Sequence, residues 1–357
     1  MGVPEQTVSR RGVAWFAGVE ATGVVEVVDV RAQPERLRQP GWWAVVGDFE
    51  GTVRAWRFAQ VAAAEPAPAG DWHGPPPESW RSSLVRSRYV AAVGRVRAHI
   101  QEGDVYQANL CRVLSAPLPG EPDARALGAL LGAGNPAPYA GGVQVPGEVW
   151  VVTASPELFL RVEDGVVTSG PIKGTAATPD AMTDKDRAEN VMITDLVRND
   201  LQRVCAPGTV EVTTLLGEER HPGLVHLVST VQGVLADDVA TAPDLWARLL
   251  DATYPPGSVS GAPKSSALDV IASLETSPRG PYCGAVGWVE VAPDGSVRAE
   301  LAVGIRTFWW ADDVLRFGTG AGITWGSDPE GEWAETELKA ARLVGLASGV
   351  PAESMTD

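Results

Sequence analysis

Short β-rich runs separated by tight turns constrain the fold of this chain more than any other feature. Three of them follow one another in the middle of the sequence, at Val149–Ala154, Leu158–Val162 and Val166–Ser169. Runs of this kind, bounded by turn residues, are typical of hairpin-connected strands, which pair antiparallel. Segments with helical spacing stand between groups of such runs. We therefore predict an α+β fold whose largely antiparallel sheets carry helices on the outside.

The other elements are predicted from apolar periodicity and from turn residues. Helices are expected over 83–102, 123–132, Asp184–Val204, Ala242–Ala252, Lys264–Leu274 and Pro329–Leu346, and further strands at Val24–Val28, Trp43–Val46, Val105–Leu114, Gly284–Val291, Arg298–Trp309 and Val314–Gly318. Residues 62–79 are rich in Pro, Gly and Ala, a composition typical of linkers. We predict a short β-rich N-terminal segment and linker in residues 1–80, followed by a larger domain in residues 81–357.

Charge and cysteine content narrow the class of protein. The chain carries 29 basic and 45 acidic side chains, a formal net charge of -16, which disfavours a general nucleic-acid binder. Its three cysteines form no CxxC pair, so we expect neither a structural zinc site nor a disulfide framework. No apolar run approaches the roughly 18 residues of a membrane span, and the first residues do not read as a signal peptide. We expect a cytoplasmic protein with no nucleic-acid or membrane partner.

An acid and an amine flank the hairpin predicted around residues 163–165. If its loop has two or three residues, Glu157 faces about residue 172 or 173, which brings it beside Lys173. Such a pair can act as proton donor and as nucleophile or base. A plain cross-strand salt bridge is the alternative interpretation.

Two predicted helices each place carboxylates on one face. Glu189 and Asp186 continue the apolar stripe of the third helix, and Glu332 and Glu335 lie three residues apart in the last one. Two carboxylates on one helix face, with a third from elsewhere, form a hard-oxygen site for Mg²⁺. The alternatives are solvated acids near a helix N-terminus and a simple i,i+4 pair between Glu335 and Lys339.

Two glycine-rich stretches, 257–264 and 318–324, precede helices. Because glycine lets backbone N–H groups approach an anion, each is either an anion site or a tight turn without a ligand. The first lacks the glycine directly before lysine that a Walker A motif needs, which favours a carboxylate substrate over a nucleotide phosphate. Arg306 is expected to point to a polar cavity or a carboxylate, and His226 is a hydrogen-bond donor or a structural histidine.

Taken together, eight ordered motifs are far more specific than any one of them. They are Ser155-Pro156-Glu157, Pro171-Ile172-Lys173-Gly174-Thr175, Glu189-Asn190-Val191-Met192 with 195–201, His226-Leu227-Val228-Ser229, Ser260-Gly261-Ala262-Pro263-Lys264, Gly304-Ile305-Arg306, Gly320-Ala321-Gly322-Ile323 and Glu332-x-x-Glu335-Thr336. This set resembles the chorismate-utilising enzyme family, which includes anthranilate synthase component I, aminodeoxychorismate synthase component I, isochorismate synthase and salicylate synthase. The resemblance spans residues 83–346.

The resemblance implies two stacked antiparallel sheets with helices outside and an active site between them, so that residues 81–357 form a chorismate-binding catalytic domain. It also implies Mg²⁺ between the substrate's ring carboxylate and Glu189, Glu332 and Glu335, with Asp186 as a candidate behind them. Glu157 resembles the general acid that protonates the departing C4 hydroxyl. The implied substrate contacts are Arg306 and Gly322 at the enolpyruvyl carboxylate, Ser258, Gly261 and Lys264 in the other anion loop, and Gly320, His226, Gln107 and Thr175.

Two positions discriminate within the family. Gln107 stands where isochorismate and salicylate synthases carry a water-activating lysine, and Lys173 stands where anthranilate synthases usually have alanine. A lysine there is the mark of aminodeoxychorismate synthase component I. The implied mechanism is covalent: Lys173 attacks C2 as the C4 hydroxyl leaves, and ammonia then adds at C4 and expels the lysine. The product is 4-amino-4-deoxychorismate, for p-aminobenzoate and folate synthesis.

The leading prediction is thus the synthase component of aminodeoxychorismate synthase, with ammonia from a separate glutaminase subunit or from solution. Anthranilate synthase component I is the alternative, and a non-catalytic interaction relative is a third possibility. Lysine scarcity supports a nucleophile at position 173, because only four of the 29 basic residues are lysines. Arginine cannot deprotonate to act as an amine nucleophile, whereas a plain salt bridge with Glu157 could have used it.

Overall fold

The computed structural model describes residues 10–65, 72–176, 178–221 and 224–350. Its strands are β1 (Arg10–Phe16), β2 (Val19–Asp29), β3 (Gly41–Gly47), β4 (Val53–Ala63), β5 (Arg81–Ser82), β6 (Gln107–Pro117), β7 (Tyr139–Val145), β8 (Val149–Ser155), β9 (Leu158–Glu163), β10 (Val166–Gly170), β11 (Ile172–Ala176), β12 (Glu211–His221), β13 (Leu224–Val234), β14 (Gly261–Ala262), β15 (Ala285–Val291), β16 (Val297–Val303), β17 (Thr307–Ala311) and β18 (Val314–Ile323). Its α-helices are α1 (Arg86–Glu102), α2 (Ala124–Gly134), α3 (Asp184–Gln202), α4 (Asp237–Ala240), α5 (Leu245–Thr253), α6 (Lys264–Leu274) and α7 (Pro329–Ala347).

Hydrogen bonds join these strands into one antiparallel ladder. The order is β12-β13-β10-β9-β16-β15-β3-β4-β2-β1-β7-β8-β17-β18-β6, with β11 on β13 and with β5 and β14 on β6. The predicted α+β class with a large antiparallel sheet is confirmed. The two halves of the ladder are continuous because β3 pairs with β15 and β1 pairs with β7. A division at residue 80 stays a prediction, and it does not coincide with a break in the ladder.

Several predicted elements match the structure closely. The helix Lys264–Leu274 is confirmed as α6, and Gly103 ends α1 with a φ of 87°. The hairpin between β9 and β10 closes through Asp164 and Gly165, both at positive φ, as in the two-residue turns that match strand twist. The described part of the predicted linker is ordered against α7, because the Trp72 and Trp80 indoles donate to the Ala347 carbonyl and the Ser348 hydroxyl.

Two sequence predictions are wrong in detail. The single strand Arg298–Trp309 is divided into β16 and β17, because Arg306 adopts a left-handed φ of 52° that a strand cannot continue through. The glycine-rich stretch 318–324 is mostly strand rather than loop, and it forms the end of β18. A Cβ at Gly318 would overlap the Tyr282 ring, so this glycine serves close packing rather than a turn.

Three apolar clusters fix the helices on the ladder. The largest lies along the central strands and includes the inner faces of α3 and α5, the second joins α1 and α6 to β6 and β18, and the third joins α2 and α7 to β8, β17 and β18. As a result α3 and α7, which carry the predicted metal carboxylates, are held by separate clusters. None of the described helices is long and apolar enough to cross a membrane.

Candidate active site

Glu157 is held at the end of β8 by a tight backbone network. The Ser155 hydroxyl accepts the Glu157 N–H at 3.2 Å and donates to the Val303 carbonyl at 2.7 Å, and the Val303 N–H donates to the Glu157 carbonyl at 3.0 Å. The side chain is 3% exposed, and its Oε1 has no hydrogen-bond partner among the described residues. Burial raises the pKa of Glu157 to about 7, against the opposing effects of the Ser258 hydroxyl and the Lys173 ammonium. A carboxyl in this state can hold a proton near neutral pH.

Lys173 lies in β11, where the pairing with β13 is irregular between Ile172 and Thr175. Burial lowers the pKa of the Lys173 amine, and the Lys339 ammonium acts in the same direction while the Glu157 carboxylate opposes it. Glu157 and Lys173 form no ion pair in the described structure, so the plain salt bridge is not what the structure contains. Burial therefore raises the pKa of the acid and lowers the pKa of the amine, because it opposes the charged form of each group.

A close approach of β6 and β18 places Gln107 and Gly322 beside Lys173. A Cβ at Gly322 would overlap the Gln107 Nε2 and would lie 3.6 Å from the Lys173 Nζ. Gln107 is 1% exposed, and its Oε1 has no hydrogen-bond partner among the described residues. The absence of a side chain at Gly322 thus allows the Gln107 amide to lie next to the amine, where it can bind a polar ligand.

Carboxylates of α3 and α7 meet around Lys185. Its Nζ lies 3.4 Å from Glu332 Oε1 and 3.7 Å from Glu189 Oε1. Glu332 is 5% exposed, and its Oε2 has no hydrogen-bond partner among the described residues. Burial raises the pKa of Glu189, and the Glu332 carboxylate adds to this, while the lysine ammoniums of Lys173 and Lys185 lower it. Two acids that share one cation, one of them with a buried oxygen that has no partner among the described residues, fit a divalent metal ion.

The third predicted metal residue, Glu335, is held differently. It pairs with Lys339 at 2.7 Å, the i,i+4 contact that the sequence left open, and the Lys339 Nζ also donates to the Gly320 carbonyl at 3.1 Å. Among the described residues, the group of three metal-type ligands whose atoms converge is His99, Glu102 and Asp104 at the end of α1, not the three glutamates. Glu189 and Glu332 therefore form the better-defined pair for a metal ion.

Asp186 is not a free acid in the structure, and its place behind Glu189 stays a prediction. It closes a capping box with Thr183: its N–H donates to the Thr183 hydroxyl at 3.1 Å, and its Oδ2 accepts from the Thr183 N–H at 2.9 Å. Such a box satisfies two of the N–H groups that a helix start leaves unpaired. The role of Asp186 in the structure is to fix the start of α3.

The anion loop before α6 is divided between two roles. Ser258 is buried and lies beside Glu157, whereas Lys264 is engaged elsewhere, with its Nζ 2.7 Å from Asp200 Oδ2 and 2.9 Å from the Thr253 carbonyl. The Asp200 carboxylate already compensates its charge, so Lys264 is not left unpaired for an anionic ligand. A Cβ at Gly261, whose φ is +147°, would overlap the Gln107 carbonyl, and this glycine is needed for packing against β6.

Arg306 is a half-buried cation without a counter-ion among the described residues. Burial lowers the pKa of its guanidinium, and no carboxylate of a described residue pairs with it. Its backbone is fixed at the break between β16 and β17, where its carbonyl accepts the Ala154 N–H at 3.0 Å. Because a buried charge is costly unless it is paired, this position suits an anionic ligand.

The remaining predicted contacts belong to β11, β13 and β18. His226 is buried in β13 and lies opposite Thr175, whose own side chain falls outside the described part of the structure. A Cβ at Gly320 would overlap the Cys111 sulfur, so close packing against Cys111 requires a glycine at this position. The structure thus groups Glu157, Lys173, Gln107 and Gly322, and it groups Glu189 with Glu332.

Sequence reasoning missed the contacts that Lys185 makes with Glu189 and Glu332. Its i,i+4 spacing to Glu189 could have indicated one of its two contacts. The other contact, with Glu332, joins residues 147 positions apart, and no local pattern reveals it.

Comparison with known proteins identifies the family. The model of the chorismate binding enzymes matches residues 42–345. The chain belongs to this family. It is 39% identical to anthranilate synthase component 1 of Streptomyces coelicolor over 80% of the chain, and 37% identical to that of Saccharolobus solfataricus over 73%. It is also 39% identical to an aminodeoxychorismate synthase of Streptomyces pristinaespiralis over 73% of the chain.

These relatives are longer than the chain, which spans 55%, 62% and 36% of their respective lengths. Their names support the alternative, anthranilate synthase component I, better than the leading prediction.

Solved structures agree on the fold. An isochorismate synthase from Bacillus anthracis matches with a TM-score of 0.77 at 22% identity, with 98% of each chain covered. Anthranilate synthase component I from Streptococcus pneumoniae matches with a TM-score of 0.74 at 24% identity, with 96% of this chain and 93% of that one covered.

Proposed function

We propose that this member of the chorismate-binding enzymes aminates chorismate to 4-amino-4-deoxychorismate. The observation that carries the proposal is the pairing of an amine whose pKa is lowered, Lys173, with an acid whose pKa is raised to about 7, Glu157. An amine and an acid tuned in opposite directions in one buried site are suited to nucleophilic attack with simultaneous proton donation.

In the proposed sequence, the neutral Lys173 amine attacks C2 of chorismate while Glu157 donates its proton to the departing C4 hydroxyl. Ammonia then forms a bond to C4 and expels the lysine amine from C2. Lys173 is thereby regenerated, and Glu157 recovers its proton from the nitrogen that has bonded to C4. The net change is the exchange of a hydroxyl group for an amino group with release of water. Arg306, which lacks a counter-ion in the described structure, is suited to bind a substrate carboxylate.

Glu189 and Glu332 are the residues that would hold Mg²⁺, with Glu335 next to them on α7. The ion would supply positive charge that binds the substrate's ring carboxylate. Ammonia is proposed to come from a separate glutaminase subunit, as expected from the sequence. With a net charge of -16 on the chain, local cationic groups rather than long-range steering must attract a dianionic substrate.

A second candidate is anthranilate synthase component I, and the names of the most similar relatives favour it. This reaction would start from the same substrate and nitrogen donor, but it would also eliminate pyruvate. It has no need of an amine nucleophile at position 173, where anthranilate synthases usually carry alanine.

Product identification separates the two candidates. The purified chain is incubated with chorismate, MgCl₂ and ammonium chloride, and the products are separated and identified by mass. We expect 4-amino-4-deoxychorismate and no pyruvate. Formation of fluorescent anthranilate together with pyruvate, in the absence of any added lyase, would contradict the first candidate and establish the second.

Lys173→Arg tests the covalent step itself. The substitution keeps the positive charge but removes the neutral amine, because a guanidinium does not deprotonate. We expect turnover to fall by about 10²-fold or more, a typical loss for a group that takes part in bond making. A mass adduct of substrate on the Lys173 peptide of the wild type would support the step, and unchanged turnover of the variant would remove it.

A further inference from the structure

Lys185 occupies a position between two acids that would otherwise repel each other. It is the second residue of α3, and its ammonium contacts Glu189 one turn later and Glu332 across on α7. The capping box of Thr183 and Asp186 fixes the start of the helix immediately around it. The backbone position of Lys185 is therefore fixed by the capped start of α3 and not by a loop.

The three partners differ sharply in exposure. The Lys185 side chain is 45% exposed, whereas that of Glu189 is 15% exposed and that of Glu332 is 5% exposed. A lysine with a flexible stem and access to solvent can move its ammonium into water at little cost. The buried carboxylates have no such freedom, so any exchange of cations at this place must be made by the lysine.

We propose that Lys185 is a positioning residue that keeps Glu189 and Glu332 together until a divalent cation takes its place. The inference rests on the metal role given to these two glutamates in the proposed function. The ammonium compensates one of the two negative charges, and a divalent ion would compensate both. Lys185 and the metal ion thus compete for the same carboxylates, and the lysine weakens the binding of free Mg²⁺.

The competition predicts a gain of affinity on removing the lysine. Lys185→Met retains the apolar stem and deletes the charge. We expect this variant to bind Mg²⁺ at least about tenfold more tightly than the wild type in the absence of chorismate, since a unit charge within about 4 Å of a partly buried site strongly opposes a second cation. Lys185→Arg, which keeps the charge, should retain the affinity of the wild type within about threefold.

Isothermal titration of MgCl₂ into each protein measures the effect without reference to activity. Arg187→Met is the matched control, because it removes a positive charge from the same turn of α3 without touching Glu189 or Glu332, and it should change the affinity by no more than about twofold. Thermal melting of each variant verifies folding. If folded Lys185→Met binds Mg²⁺ no more tightly than the wild type, Lys185 and Mg²⁺ do not compete and the proposal is wrong.

Titration of the wild type distinguishes a failure of the inference about Lys185 from a failure of the proposed function. If it binds Mg²⁺ in the presence of saturating chorismate while Lys185→Met shows no gain, only the role of Lys185 fails. If the wild type binds no Mg²⁺ even with chorismate, the metal role of Glu189 and Glu332 fails, and the inference about Lys185 fails with it.

Discussion

At the scale of single residues, burial strongly changes the pKa of Glu157. Its pKa rises from 4.5 to about 7 because the folded chain buries it. Between these two values the unfolded carboxyl is ionised while the folded one still holds its proton, so the free energy of unfolding falls as the pH rises. The stabilising contribution is complete below about pH 4.5 and is lost by about pH 7.

Glu157→Gln removes this dependence. We expect the free energy of unfolding of the wild type to fall by about 3 kcal/mol more than that of the variant between pH 4.5 and pH 8, because each pKa unit corresponds to about 1.4 kcal/mol. Urea unfolding of both proteins at several pH values measures the difference. Parallel curves for the two proteins would mean that Glu157 is not buried as a protonated acid.

Local residue contacts could be predicted from the sequence, and distant ones could not. The Glu335–Lys339 pair follows from i,i+4 spacing, and the structure contains it at 2.7 Å. The contact of Lys264 with Asp200 joins residues 64 positions apart, the first residue of α6 and a residue near the end of α3, and no local pattern indicates it. A resemblance can align Lys264 with an anion loop, but only the three-dimensional neighbours reveal that its charge is already used.

At the scale of elements, a buried arginine adds polar contacts that attach α7 to the sheet. Arg112 of β6 donates through Nε to the Thr336 hydroxyl at 2.9 Å and through Nη1 to the Ser82 hydroxyl at 3.2 Å. Its guanidinium lies 4.2 Å from the centre of the Trp333 ring and pairs with Glu337. Since α7 carries Glu332 and Glu335, this attachment helps to hold those carboxylates in place.

Arg112→Met should remove the polar contacts between Arg112 and α7. We expect a loss of about 2–4 kcal/mol in the free energy of unfolding, because several hydrogen bonds and a stacked cation are removed from a buried position. Arg86→Met is the control, since Arg86 of α1 also pairs with α7, but its pair with Glu330 is 65% and 55% exposed and should contribute less than about 1 kcal/mol. Chemical denaturation compares the variants, and equal losses for the two would contradict a special role for Arg112.

Element types were predictable where the sequence signal is local, and strand continuity was not. The alternation and turn residues around 149–169 predicted three strands, and β8, β9 and β10 confirm them. In β18, glycines that favour turns in isolation are required because Tyr282 and Cys111 press against the strand. The side chains that demand a glycine lie far away in sequence, so the composition of residues 318–324 alone predicts a loop.

At the scale of the whole molecule, the N-terminal strands close the ladder. The sequence predicted a β-rich N-terminal segment, but nothing local indicates that β3 pairs with β15 and β1 with β7. Trp43 and Trp56, in β3 and β4, are 0% and 1% exposed and belong to the largest apolar cluster. The first strands are therefore part of the core that supports the candidate site, and the order of pairing depends on contacts across most of the chain.

This arrangement predicts that residues 81–357 do not fold alone. Without the first strands, β15 and β7 would each expose an unpaired edge, and the apolar cluster around Trp43 and Trp56 would lose one side. We expect the fragment to aggregate or to melt without cooperativity, and co-expression with residues 1–80 to restore a cooperative transition near that of the intact chain. Circular dichroism and thermal melting of the fragment, alone and co-expressed, measure this. A fragment that melts cooperatively by itself would instead establish residue 80 as a domain boundary, because its core would then be complete without the first four strands.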